Sequence, residues 1–378
     1  MLALWVQGSA ISTQAQADAV LARVSRGKFT TVFQYTACAT AMYQNSAHLP
    51  PAYPGEFDPI RYILPRYHEL GINVHAWLCP GWCTQHPTFR ATHPGWTCTD
   101  NGAPLDLSTI PAHWLCFDVP EAREFWVSVA LECKSLGFDG IHWDYIRYDN
   151  GWDEETQRAE YYPPAYFGRD SVTYLVEAAR EALRHAQDKA LDCTHSAAVL
   201  SGVLSACPDM LQWWDEWIDL DLIDVAIPML YHYTGDESRM AEQVTQWISI
   251  PPEYITPGLR VETDWNESSR RLKTPLELQA QLDVCSGYNG YCFFDESALH
   301  SDGGTLLDYI ATLAQDEENM TILDDVRELV RLVQQLQFTT GTLVDECRAV
   351  VDQAALVEAE LIELDEQLDV LGDVIELD

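Results

Sequence analysis

The sequence predicts an α/β fold: a (β/α)8 TIM barrel followed by a C-terminal α-helical coiled-coil tail. Strand-like and helix-like segments alternate eight times through about the first 315 residues. No Gly-rich phosphate loop follows the first strand, and from Ile322 the apolar residues repeat with heptad spacing. Alternating β and α units imply a parallel sheet covered by helices. Eight of them suit a closed barrel better than an open doubly wound sheet, and the missing loop argues against a dinucleotide fold.

The elements follow in order. "ALWVQG" leads into a helix over 13–26, and "FTTVFQYT" into the helical "FDPIRYILPRYHELG". "INVHAWL" precedes an insertion at about 79–119, after which "EAREFWVSVALECKSLG" is helical. "FDGIHWDYI", "AAVLSGVLSA", "DVAIPMLYHY", "YITPGLRVE" and "GYCFFDES" supply the remaining strands, and "TLLDYIATLAQ" closes the set. The expected domains are a barrel over 1–315 and an acidic oligomerisation tail over 316–378.

In the tail one apolar line runs through Val326, Val333, Cys347, Leu361 and Ile375, and the other through Ile322, Leu336, Val350, Leu364 and Leu371. Two lines offset by three and four residues form a coiled-coil seam. Val330, Val344 and Val351 widen the stripe, so a homo-oligomer, a trimer or higher, is expected through 322–375. Two helices folding back on the barrel are the alternative, and Gly341 is where a hairpin would turn.

The formal net charge is −37, from 59 acidic and 22 basic residues, with Lys28, Lys134, Lys189 and Lys273 the only lysines. Such a surface repels phosphate backbones and anionic membranes, so no nucleic-acid or membrane partner is expected. No apolar run is long enough to span a bilayer. "MLALWVQGSA" lacks the basic start of a secretory leader, so a cytoplasmic or virion-associated protein is expected. Cys79, Cys83, His86, His93, Cys98, His113 and Cys116 cluster in the insertion, but their spacing matches no compact zinc pattern. No metal or cofactor is expected.

In such a barrel functional residues sit at the C-terminal ends of strands. In "GIHWDYI" the faces alternate, which places Ile141, Trp143 and Tyr145 under helices and His142 and Asp144 inside the barrel. A buried carboxylate costs several kcal/mol unless paired, which makes Asp144 informative. Other strand ends offer His75 and Trp77, Tyr231, Glu262, and Asp295. Carboxylates with aromatic side chains at one rim suit sugars: rings stack on pyranose faces, and carboxyl groups act at the anomeric carbon.

"VHAWLCP", "HPGWTCTDNGAP", "FDGIHWDYIRY", "LQWWDEWIDLDLIDVAIPMLYH" and "ITPGLRVE" occur in this order over residues 1–315. Together they resemble the motifs of glycosyl hydrolase-like family ten, bacterial barrel proteins distinct from the classical xylanases. That family includes a hydrolase of peptidoglycan glycan strands. The resemblance implies that Asp144 is the strand-four carboxylate, with His142, Arg147, His75, Trp77, Gln212, Trp214 and Tyr231 around the substrate. Trp213, Asp221 and Asp149 stand where the family usually has Asp, Gly and Pro.

The expected function is therefore a glycoside hydrolase of an oligo- or polysaccharide, such as a peptidoglycan strand. Asp144 is the nucleophile or base, kept ionised by His142 and Arg147, with Glu262 as acid and Asp295 behind it. The alternative is an inactive carbohydrate-binding protein, such as a phage adhesin on an oligomeric stalk; a third reading is an inert scaffold.

Overall fold

The computed structural model describes residues 1–100, 103–104, 114–149, 152–153, 158–159, 167–185, 193–232, 235–263, 271–299 and 304–314. Eight parallel strands close into a barrel: β1 Leu2–Val6, β2 Thr31–Ala37, β3 Asn73–Leu78, β4 Gly140–Trp143, β5 Thr194–Leu200, β6 Val225–Leu230, β7 Gly258–Arg260 and β8 Tyr291–Phe294. Each pairs with its sequence neighbours, and β8 pairs back to β1 through Leu2↔Tyr291 and Leu4↔Phe293. The barrel expected from the alternation is thus present.

Helices cover it: α1 Gln14–Arg26, α2 Pro59–Glu69, α3 Pro87–Thr92, α4 Pro120–Leu136, α5 Ser171–His185, α6 Val203–Met210, α7 Trp214–Asp219, α8 Glu237–Val244, α9 Pro275–Val284, α10 Glu296–Leu299 and α11 Thr305–Leu313. Their ends follow local chemistry. Thr13 caps α1 and Asp58 caps α2. Thr274 and Glu277 form a reciprocal capping box at α9, with Pro275 in its first turn. Gly137 ends α4 at φ 103°, a left-handed turn that costs glycine little. No described helix is long and apolar enough to cross a membrane.

Aromatic and imidazole rings fill the barrel. Trp5, Phe33 and His75 stand side by side in register on β1, β2 and β3. Phe33 stacks on His142 from β4 at 3.9 Å between centroids. The Trp5 indole reaches across to Gly258 on β7, where a Cβ would lie 2.8 Å from the ring. Glycine there makes room for the indole.

The N-terminal mouth is closed by charge. Arg180 of α5 donates two bonds to Asp224, at 2.6 and 2.7 Å, and two to Asp221, one to its backbone O and one to its carboxylate. Asp224 also accepts from the backbone N–H of His195 at 2.7 Å. One helix and the starts of β5 and β6 are thereby clasped together.

The chain divides into Met1–Ala314 and Gln315–Asp378. The second unit, with the expected seam over 322–375, lies outside the described residues.

Candidate active site

Asp144 follows β4 at the C-terminal mouth and is 8% exposed. Its backbone N–H donates to Leu78 O at 2.8 Å, which extends the β3–β4 pairing by one bond. One carboxylate oxygen accepts from the Trp77 indole at 3.1 Å, and the other from the Tyr145 N–H at 2.7 Å. Burial raises the carboxyl to about 6, against the pull of the Tyr145 N–H, the Arg147 charge and the Trp77 bond. Of the two residues expected to hold the carboxylate ionised, Arg147 does lower the carboxyl and His142 does not. The histidine bonds elsewhere, and loss of water outweighs the donors that remain.

The strand ends at Trp143, so the alternation of faces stops there. Tyr145 takes a left-handed backbone, φ 52°, a strained setting for a bulky side chain. Its ring joins the rim aromatics, 5.1 Å from Trp82 and 5.9 Å from Trp114. The expected place for Tyr145, under the helices beside Trp143, is therefore wrong.

Tyr231 stands just beyond β6, two strands round the barrel from β4, with its ring 5.3 Å from Phe294. Burial holds its phenol protonated well above the usual range, and Asp144, Cys292, Tyr145 and Asp295 add to the effect. Tyr231 is thus within electrostatic reach of both Asp144 and Asp295. Asp295 follows β8, diametrically opposite β4 in the closed strand order. It accepts from Gln7 at 3.4 Å and from the Ala298 N–H at 3.2 Å, and it also takes a bond from Ser297.

Glu262 lies past β7 and pairs with Arg260 at 3.1 Å. That fixed contact with a buried guanidinium counts against the acid role expected for it. Arg147 sits behind the rim aromatics, 5.4 Å from the Trp114 centroid and 5.6 Å from that of Tyr145.

Four residues expected at the substrate are buried instead. His142 is fully buried; its Nε2 accepts from the Trp5 indole at 2.9 Å, and its Nδ1 faces Ser196 Oγ at 3.0 Å. His75 faces the same hydroxyl at 3.0 Å. Burial lowers His75 to about 4 and His142 well below its ordinary value, so both rings are neutral at pH 7. Gln212 ties Leu200 N–H to Ile146 O, joining the end of β5 to the loop after β4. Trp214 is fully buried against Trp247, at 6.5 Å. Inward alternation identifies the face of a strand but not the depth along it, and these four sit below the mouth or outside the barrel wall.

Sequence reasoning missed Tyr35. Its ring stands 5.4 Å from Trp77 and braces the indole that holds Asp144. The register Tyr35↔Trp77 on β2 and β3 is the signal that would have found it. Among the described residues, the insertion's Cys79, Cys83, His86, His93, Cys98 and Cys116 form no metal-holding group of three or more. His113 lies outside them.

The barrel is similar to several solved structures. It resembles alpha-L-fucosidase isoenzyme 2 from Paenibacillus thiaminolyticus at 15% identity, over 84% of this chain and 50% of that one, with a TM-score of 0.56. The chain thus spans half the length of the fucosidase. It also resembles the PgaB (BpsB) glycoside hydrolase domain from Bordetella bronchiseptica, at 14% identity over 82% of this chain and 98% of that one, TM-score 0.55. A GH18 chitinase from Pseudoalteromonas aurantia is similar at 13% identity, 83% and 98% coverage, TM-score 0.51. At such identities the likeness is one of fold. No curated protein sequence matches the chain. Residues 62–268 match the family described as "Putative glycosyl hydrolase domain". That is more than half of the 378 residues and includes Asp144, Tyr231 and Glu262, and the chain belongs to that family.

Proposed function

We propose that the protein is a glycoside hydrolase in which Asp144 is the general acid and Asp295 the partner carboxylate. The observation that carries the reading is one carboxyl group, buried at the barrel mouth and raised to about 6, among aromatic side chains. A carboxyl with a raised pKa suits a proton donor better than a nucleophile. Asp144 gives its proton to the bridging oxygen as the C1–O bond breaks, and the bond's electron pair leaves with that oxygen. Water adds at C1, and Asp295 takes the proton it loses. Tyr231 stands between the two and keeps its own proton. Trp77, Arg147 and the aromatic rim position the sugar and the acid.

The resemblance noted from the motifs makes peptidoglycan glycan strands without stem peptides the first polymer to test, within a panel of polysaccharides. Cleavage should release new reducing ends from at least one polymer. A general acid must be protonated in the free enzyme, so kcat/KM should fall about tenfold per pH unit above about 6. A rate that instead climbs through pH 6 to a plateau would assign Asp144 an ionised role, as nucleophile or base.

One observation favours the second reading, an inactive sugar-binding barrel. Glu262 and Asp295 both have protein partners, as carboxylates without a chemical task would. Binding of a glycan that is never cleaved would establish it. We extend the proposal to a trimer or larger assembly through 322–375, and light scattering showing a monomer at both low and high salt would refute that part.

A further inference from the structure

We infer that Trp82 is the stacking platform for the sugar on the leaving-group side of the cleavage point, which makes an extended glycan chain the preferred substrate; this rests on the glycosidase reading. The insertion brings three described tryptophans near β3, and only one offers a face. Trp114 is 2% exposed, and its indole N–H is committed to Arg147 O. Trp96 packs among Phe89, His93 and Phe125. Trp82 is 41% exposed, one of the few large apolar side chains left open to solvent.

Its ring is also held in place. Trp82 leans on Tyr145 at 5.1 Å and meets Trp114 edge-on at 5.7 Å and 84°. Gly81 beside it lets the chain pass the Tyr145 carbonyl, which would lie 2.2 Å from an added Cβ. Leu115 N–H bonds to Gly81 O at 3.1 Å and closes the loop. An exposed indole held by two neighbouring rings binds a flat apolar ligand face at little cost in side-chain entropy.

Its place relative to the acid sets which sugar it holds. Tyr145 carries the N–H that bonds the Asp144 carboxylate, so the platform begins one residue from the proton donor. Asp295 follows β8, whose last residue is Phe294, opposite β4 in the ring of eight, and Tyr231 follows β6 between them in that order. A sugar ring between Asp144 and Asp295 is the one whose anomeric carbon reacts. The next ring, beyond the oxygen that Asp144 protonates, falls over Tyr145 and Trp82. Its ligand is a pyranose with an apolar face formed by axial C–H groups, as in equatorially linked glycan chains.

The test compares wild type, Trp82→Ala and Trp82→Phe on two probe sets. One is β-linked tetrasaccharides of N-acetylglucosamine, glucose and xylose together with peptidoglycan strands; the other is nitrophenyl glycosides of the same sugars. On the chain that wild type cleaves, Trp82→Ala should lose about thirtyfold in kcat/KM, mostly through KM. That loss should exceed the loss on the nitrophenyl glycoside by about tenfold or more, and Trp82→Phe should recover most of it. Equal losses on both probes, or no loss on the chain, would overturn the inference while leaving the glycosidase reading intact. If wild type cleaves nothing, that reading fails, and calorimetric binding of the same tetrasaccharides decides the platform. Weaker binding by Trp82→Ala supports it; equal binding, or none by wild type, overturns it.

Discussion

Asp144→Asn should lower polysaccharide cleavage by at least about a thousandfold, with much less change in substrate affinity. The substitution keeps the shape and removes the transferable proton, an interaction realised only as the bond breaks. The same variant should be more stable than wild type at neutral pH. The folded carboxyl sits at about 6, above the ordinary 3.8. The folded state therefore binds the proton more tightly than the unfolded chain does. Stability is lost as pH rises from about 4 through about 6, and it stays lost above. Each pKa unit corresponds to about 1.4 kcal/mol, and the asparagine NH2 group, unlike the carboxylate, cannot accept from the Trp77 indole. The expected gain at pH 7.5 is therefore about 2 kcal/mol, vanishing by pH 4. Denaturant melts at both pH values measure it, and a variant less stable than wild type at pH 7.5 would contradict the burial argument.

Arg180→Ala should show the reverse pattern. It lies at the N-terminal end of the strands, the face that serves stability. Arg180 is buried, whereas Asp224 is about a third exposed, so water partly compensates the lost partner. Removing one member of a buried pair costs about 3–5 kcal/mol, and the partial exposure brings the expectation to about 2–3 kcal/mol, with kcat/KM unchanged below the melting transition. Arg180→Lys should restore only part, because an ammonium cannot reproduce the forked contact with Asp224. A melt within about 0.5 kcal/mol of wild type would show that the clasp contributes little.

The barrel was legible because its cause is local. Each strand reads as a short apolar run and each helix as a periodic one, and caps such as Asp58 and Thr274 mark the starts. Asp144 stands out for the same reason, as an inward residue at the end of an apolar run. Depth was not legible. His142 and Asp144 share a face two residues apart, yet one bonds Trp5 in a dry interior and the other meets the mouth. Gln212 and Trp214 are placed at the substrate by resemblance to a family motif, and the loop that buries them is set by long-range contacts with Leu200, Ile146 and Trp247. The turn at Tyr145 was hidden because a left-handed tyrosine has no sequence signal comparable to glycine. The raised pKa of Asp144 was hidden with it, since desolvation depends on tertiary burial rather than on the local sequence.

The claim that Asp144 acts as a proton donor is tested most directly by the leaving group. A dinitrophenyl glycoside departs as a stable anion and needs no proton; a sugar leaving group does. The account predicts that Asp144→Asn loses at least about a thousandfold on the polysaccharide yet stays within about tenfold of wild type on the dinitrophenyl glycoside. An equal, large loss on both substrates would contradict it and make Asp144 the group that attacks or stabilises the anomeric carbon.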